Sequence, residues 1–143
     1  MNRMKIFTKE NISSLKLLNP VPEYQMYVYV ILNDNDLVKI GKTTNPLQRI
    51  KSLSGSNGGG SKIRKIACLE EPTYILTLEE ILHTHYDYKR INGTEWFKDL
   101  DFDEVVDYVN TLLSLKSYEI TTQVRIDRLN GDNVLNNINE DYD

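Results

Sequence analysis

Val38-Lys39-Ile40-Gly41-Lys42-Thr43-Thr44-Asn45-Pro46-Leu47-Gln48-Arg49-Ile50 reads as a strand that runs through a short turn into a helix. Asn45-Pro46 marks the helix start, because Asn supplies an N-cap acceptor and Pro takes the first helical position, where its missing N–H costs nothing. Leu47, Ile50 and Leu53 then face the core and leave Arg49 on another side of the helix. From Leu37 to Leu69 there are seven Lys or Arg (Lys39, Lys42, Arg49, Lys51, Lys62, Arg64 and Lys65) and no Asp or Glu, in a chain whose net charge is -4. A local excess of this kind is the footprint of a polyanion site.

Upstream, Met26-Tyr27-Val28-Tyr29-Val30-Ile31-Leu32 is a β-branched and aromatic run, and Asn33-Asp34-Asn35-Asp36 turns the chain into the strand that ends at Gly41. The two form a hairpin whose alternation puts Tyr27, Tyr29 and Ile31 on one face and Val28, Val30 and Leu32 on the other. Before it, residues 1–25 hold a short helical pattern, with Ile12, Leu15 and Leu18 recurring at spacing three, closed by Asn19-Pro20-Val21-Pro22. They are expected to be a helical extension packed on the domain.

Downstream, Ser54 to Ser61 contains four of the seven glycines and has two open readings, a loop tip or a backbone N–H surface for phosphate. Lys62 to Leu69 alternates as a half-exposed strand does. Pro72 to Lys89 reads as the longest helix, starting between Thr73 and Thr77, with Ile75, Leu78 and Leu82 in line. Glu79 and His83, four residues apart, share a helical face. Asn92-Gly93 ends it and Trp96-Phe97 anchors the chain on the core. A further helix fits Asp103 to Leu115, Tyr118 to Ile126 alternates like a strand, and Asn130 to Asp143 is too polar to fold by itself. From Asp99 onward there are eleven Asp or Glu against three Lys or Arg.

Composition sets the outer bounds. A chain of 143 residues, 40% apolar and 27% charged, is sized for one α/β-type domain with one real core. No run of about 18 apolar residues is present and no signal-peptide pattern opens the chain, so a cytoplasmic protein without membrane contact is expected. The single Cys68 lies between Ala67 and Leu69 and reads as a small buried hydrophobe. His83 and His85 point about 200° apart on a helix and cannot share one zinc ion.

Tyr27-Val28-Tyr29, Lys39-Ile40-Gly41, Arg49 and Glu79 together resemble the GIY-YIG endonuclease superfamily, in which two tyrosine-bearing strand motifs, a helical arginine and a later glutamate form the site. Lys39 to Thr43 (KIGKT), Glu79 with His83, and Glu95-Trp96-Phe97 are similar to the branch found in phages and large DNA viruses, described as meiotically up-regulated gene 113 type. The resemblance covers residues 26–98. It implies an α+β fold, a small three-stranded antiparallel sheet flanked by helices, between the N-terminal extension (1–25) and a C-terminal helix and strand (99–129) with an acidic tail (130–143).

For function the resemblance implies a metal-dependent DNA endonuclease. Tyr29 is the general base, its phenol normally near pKa ~10 and needing activation by Lys39, Lys42 and Arg49. Arg49 clamps the scissile phosphate. Glu79 ligates Mg²⁺ or Mn²⁺, a hard cation that keeps most of its waters. Lys39 stands where the family has its second tyrosine and joins the catalytic set. Lys42, Lys51, Lys62, Arg64 and Lys65 are the DNA-binding surface; Tyr27, Gly41, His83 and Asn92 are secondary candidates, Asn92 being nearest to the family's late asparagine. The position of a family histidine after the arginine is Leu53. Two other classes stay open: a DNA-binding module that cuts poorly, and an interaction or inhibitor protein using its acidic end, with a homodimer possible through Tyr118 to Ile126. No small-molecule cofactor is implied.

Overall fold

A computed structural model describes residues 3–8, 10–54, 62–73 and 77–115. Five strands form one antiparallel sheet: β1 (Met4–Thr8), β2 (Tyr27–Asn33), β3 (Val38–Thr43), β4 (Ile63–Leu69) and β5 (Trp96–Phe97), in the order β1-β4-β2-β3-β5. The helices are α1 (Pro46–Ser54), α2 (Thr77–His85) and α3 (Phe102–Ser114), with 3-10 turns at Ile12–Leu17 and Asp87–Lys89. The fold is α+β, and its central β4-β2-β3 unit is the expected three-stranded sheet.

Alternation along β2 sorts the core into two layers. Val28 and Val30 face α2 and α3, meeting Leu78, Leu82, Val105 and Val109. Tyr27, Tyr29 and Ile31 face the α1 side with Ile50, Ile66, Cys68, Phe7 and Leu15, while Leu47 and Leu53 pack against them. Each large side chain fully removed from water there stabilises the fold by roughly 1.5–3 kcal/mol relative to exposure. The β2–β3 turn is fixed by Asn33, whose Oδ1 accepts from the backbone N–H of Asn35 at 3.0 Å and of Leu37 at 2.9 Å. That turn puts Asp36 at φ 60, a conformation Asp tolerates better than most residues.

Three expectations need correction. The N-terminal extension is not purely helical: Met4–Thr8 pairs with β4 along Met4↔Leu69 to Thr8↔Lys65 and so widens the sheet. Its helical part is a 3-10 turn, for which apolar spacing of three is the natural period. Trp96-Phe97 adds the other edge strand, pairing Lys39↔Trp96 and Val38↔Phe97. Among the described residues the longest helix is α3, of 13 residues, capped by Asp101; α2 has nine there and gives way to the turn at Asp87–Lys89.

Cys68 is fully buried and burial pushes its thiol up to about 12, as a packing residue requires. Tyr118 to Ile126, the acidic tail, Tyr74, Ile75 and the glycine-rich segment 55–61 lie outside the described residues. Among the described residues no helix is long and apolar enough to cross a membrane.

Candidate functional site

The site is organised by the pairing of Tyr29 with Gly41 across β2 and β3. The phenol of Tyr29 lies over Gly41, where an added Cβ would stand 2.5 Å from Cζ and collide with Oη. Glycine is needed here for the close approach of the ring. Just beyond Gly41 the chain turns into α1, whose start is fixed by Asn45: its Oδ1 accepts from Gln48 N at 3.2 Å and its carbonyl from Arg49 N at 3.0 Å. One helical turn in, Arg49 Nε donates to Tyr29 Oη at 3.2 Å.

Tyr29 is 1% exposed. Burial pushes its phenol above the ordinary 10.0; the hydrogen bond and charge of Arg49 oppose this, and the carboxylates of Glu95 and Glu79 add to it. The expected activation by surrounding cations is therefore outweighed in the free protein, where Tyr29 is a neutral phenol. Tyr27 lies on the same face and is also raised, mainly by desolvation.

Lys39 shares this face, two positions before Gly41. Its Nζ stands 3.2 Å from Glu95 Oε2 and 5.5 Å from the centroid of the Trp96 ring. The lysine side chain is 11% exposed, so its charge is largely shielded from water, whereas that of Glu95 is 46% exposed.

Glu79 and His83 arrive from α2 along the edge of β3. His83 Nε2 lies 2.8 Å from the Ile40 carbonyl, which can only accept, so this nitrogen carries the proton. The same nitrogen is 3.4 Å from Glu79 Oε1, and the imidazole meets Phe97 edge-on at 5.3 Å. His83 is thus both the neighbour of Glu79 and a packed histidine, which joins the two readings left open by the sequence. Lys42 Nζ approaches Glu79 Oε2 at 3.8 Å, a charge contact without hydrogen-bond geometry.

The basic stretch is not acid-free in space. Lys39 has Glu95, Lys42 has Glu79, Arg64 has Asp36 at 2.6 Å and Lys65 has Asp103 at 3.7 Å. Lys65 also lies 4.7 Å over Phe102, on the α3 face, away from Tyr29. Of the seven basic residues, Lys51 and Lys62 are exposed with no ion pair to another described residue. Of the residues expected to bind DNA, Lys65 thus lies on the opposite face of the sheet from Tyr29, and the register shift between Leu32 and Asn33 falls beside Arg64. Asn92 is exposed in the turn before β5.

Compared with known families, the chain matches the T5orf172 domain over residues 26–113. The chain belongs to the T5orf172 domain family. T5orf172 is a phage-associated domain related to the GIY-YIG and HNH-like group of nucleases. No curated protein and no solved structure matches the chain. The T5orf172 match begins at Met26, so β1 and the 3-10 turn at Ile12–Leu17 precede the family domain and complete its α1-side core with Phe7 and Leu15. It extends through Val106 and Val109 of α3, beyond the expected boundary at residue 98.

One site residue escaped the sequence reading. Glu95 was visible in the Glu95-Trp96-Phe97 motif, but its partner lies 56 positions upstream and only the β3–β5 pairing brings them together. Among the described residues no group of three or more His, Cys, Asp and Glu gathers as a metal cage.

Proposed function

We propose that this T5orf172 domain is a DNA endonuclease of the GIY-YIG type that hydrolyses a phosphodiester with the help of a divalent cation. The observation that supports it most is the Arg49–Tyr29 hydrogen bond over Gly41. Two chemistry-bearing residues from separate elements, Tyr29 of β2 and Arg49 of α1, meet there at a cost in burial that simple packing would not incur. A neutral apolar side chain would fill the same space without desolvating a phenol beside a guanidinium.

With Nε committed to Tyr29, the two terminal nitrogens of Arg49 are left to face a phosphate, where a planar guanidinium binds two oxygens at once. Lys39 adds a second positive charge on the same face. Tyr29 takes the proton of the attacking water as a phenolate, a form that burial disfavours and Arg49 favours. The departing oxygen leaves with a proton from solvent. A lone, largely shielded carboxylate suits Mg²⁺ or Mn²⁺, which take few protein ligands and share the substrate's phosphate oxygens; Glu79 would hold the ion. When bound, the cation supplies Lewis-acid stabilisation of the charge on the phosphate.

Incubation with supercoiled plasmid and Mg²⁺ or Mn²⁺ tests this reading. Nicking or linearisation is expected, abolished by EDTA and by Glu79→Ala. Cleavage by Glu79→Ala at the parent's rate would remove Glu79 from the proposed role.

A second reading has its own support. Tyr29 is buried and its phenol is raised, as in a site that grips phosphate through Arg49 and Lys39 without proton transfer. DNA retardation with no cleavage under either metal would favour that binding module.

A further inference from the structure

Lys39 and Glu95 are an unequal pair. The lysine projects from β3 beside the edge strand β5, 9% exposed as a residue, and a shielded ammonium requires a counter-charge. The glutamate that supplies it sits in the exposed turn Asn92-Gly93-Thr94 leading into β5, with its own side chain 46% exposed. Its backbone is tied down: the Glu95 carbonyl accepts from Ile40 N at 3.4 Å, and the following Trp96 N–H donates to Thr94 Oγ1 at 3.1 Å. The carboxylate can therefore swing into water while the main chain stays in register and the Trp96 ring remains beside Nζ.

The Glu95 charge reaches further than Lys39. Its contact with Lys39 places it on the Tyr29 face of the sheet, and its charge is felt by both Tyr29 and Arg49. An anion at that place cannot coexist comfortably with a DNA phosphate, because like charges in a shielded site repel strongly.

We propose that Glu95 is a built-in stand-in for the DNA phosphate: it holds Lys39 against Trp96 in the free protein, and an incoming phosphodiester displaces it and takes over the lysine. This rests on the DNA reading above and adds a residue that positions Lys39 and lowers affinity for anions until a polyanion with several contacts arrives. The exchange needs no bond making or breaking, only rotation of the Glu95 side chain.

The test is the affinity for a short duplex DNA in EDTA, where no cleavage occurs, across a salt series. Glu95→Gln should bind about three- to fivefold tighter than the parent, the range open to a half-exposed charge pair. Its plot of log affinity against log salt should keep the parent's slope, since Lys39 meets a phosphate in both, whereas that of Lys39→Met should be shallower by about one phosphate contact. Glu95→Asp, which keeps the charge, should return affinity toward the parent's and shows that the tightening is not a folding effect. In a Lys39→Met background Glu95→Gln should give no gain.

Equal or weaker binding by Glu95→Gln, with Lys39→Met weaker than the parent, would overturn the exchange while leaving the DNA reading intact. A gain that persists without Lys39 would also overturn it, since the carboxylate would then act as a general repulsive charge. Absence of DNA binding by the parent and every variant would overturn both.

Discussion

Lys39 and Lys65 are two versions of one arrangement on opposite faces of the sheet. Each is a strand lysine laid beside an aromatic ring and an acid: Lys39 by Trp96 at 5.5 Å and Glu95 at 3.2 Å, Lys65 by Phe102 at 4.7 Å and Asp103 at 3.7 Å. The Lys65 pair closes the surface over the α3-side core, where its long stem covers apolar atoms and its charge stays partly hydrated. On the Lys39 face, Tyr29, Gly41 and Arg49 lie on the strands and helix around it, and Glu79 comes in at the strand edge. A basic side chain on a ring beside an acid is therefore not a site. Convergence with a buried phenol and a guanidinium distinguishes the two faces.

The widest separation between them should appear at Tyr29. Tyr29→Phe removes the hydroxyl that accepts from Arg49 and is expected to lower plasmid cleavage by about 10²-fold or more, the scale of general-base loss. The parent's pH profile carries a matching sign. Burial raises the phenol above 10.0, and if the phenolate is the base as proposed, the rate should climb about tenfold per pH unit through the neutral and mildly alkaline range without levelling below that value. A flat profile from pH 7 to 10 would take Tyr29 out of proton transfer.

A smaller effect is expected at Gly41. Alanine there drives a Cβ into the Tyr29 ring, which is fully buried and has nowhere to move. Overpacking of this kind costs about 1–3 kcal/mol, seen as a lowered thermal midpoint together with lost activity. A variant as stable and active as the parent would show that the ring does not depend on the close approach.

Much of this was legible before any coordinates. The Tyr27 to Leu32 alternation, the Asn33 turn, the Asn45-Pro46 helix start and the Arg49 position are set by residues within a few places of one another, and local sequence reports local structure. What was not legible is non-local. Met4–Thr8 has no strict alternation, being buried at Met4 and Phe7 only, and becomes a strand because β4 offers it an edge. Thr77–His85 ends early because the chain tightens at Asp87, a boundary that propensity marks poorly. Four of the seven basic residues without an acidic neighbour in sequence, Lys39, Lys42, Arg64 and Lys65, meet Glu95, Glu79, Asp36 and Asp103 only after folding, and Glu95 enters the site through the β3–β5 pairing.

At the small end lies Lys65→Met. Its ion pair is partly exposed on both sides, and loss of such a pair costs at most about 1 kcal/mol, with the Met side chain still able to cover Phe102. A thermal midpoint near the parent's is expected; a large fall would mean that Lys65 contributes more than surface closure.

The central claim, that the Tyr29 face and not the Lys65 face is the reaction site, is tested most directly by assaying Arg49→Ala and Lys65→Met side by side on plasmid DNA with Mg²⁺. Loss of a charge-stabilising donor should reduce cleavage by Arg49→Ala about 10²- to 10³-fold, with Lys65→Met cutting as the parent does. Equal cleavage by Arg49→Ala and the parent, or an equal loss in both variants, would contradict it.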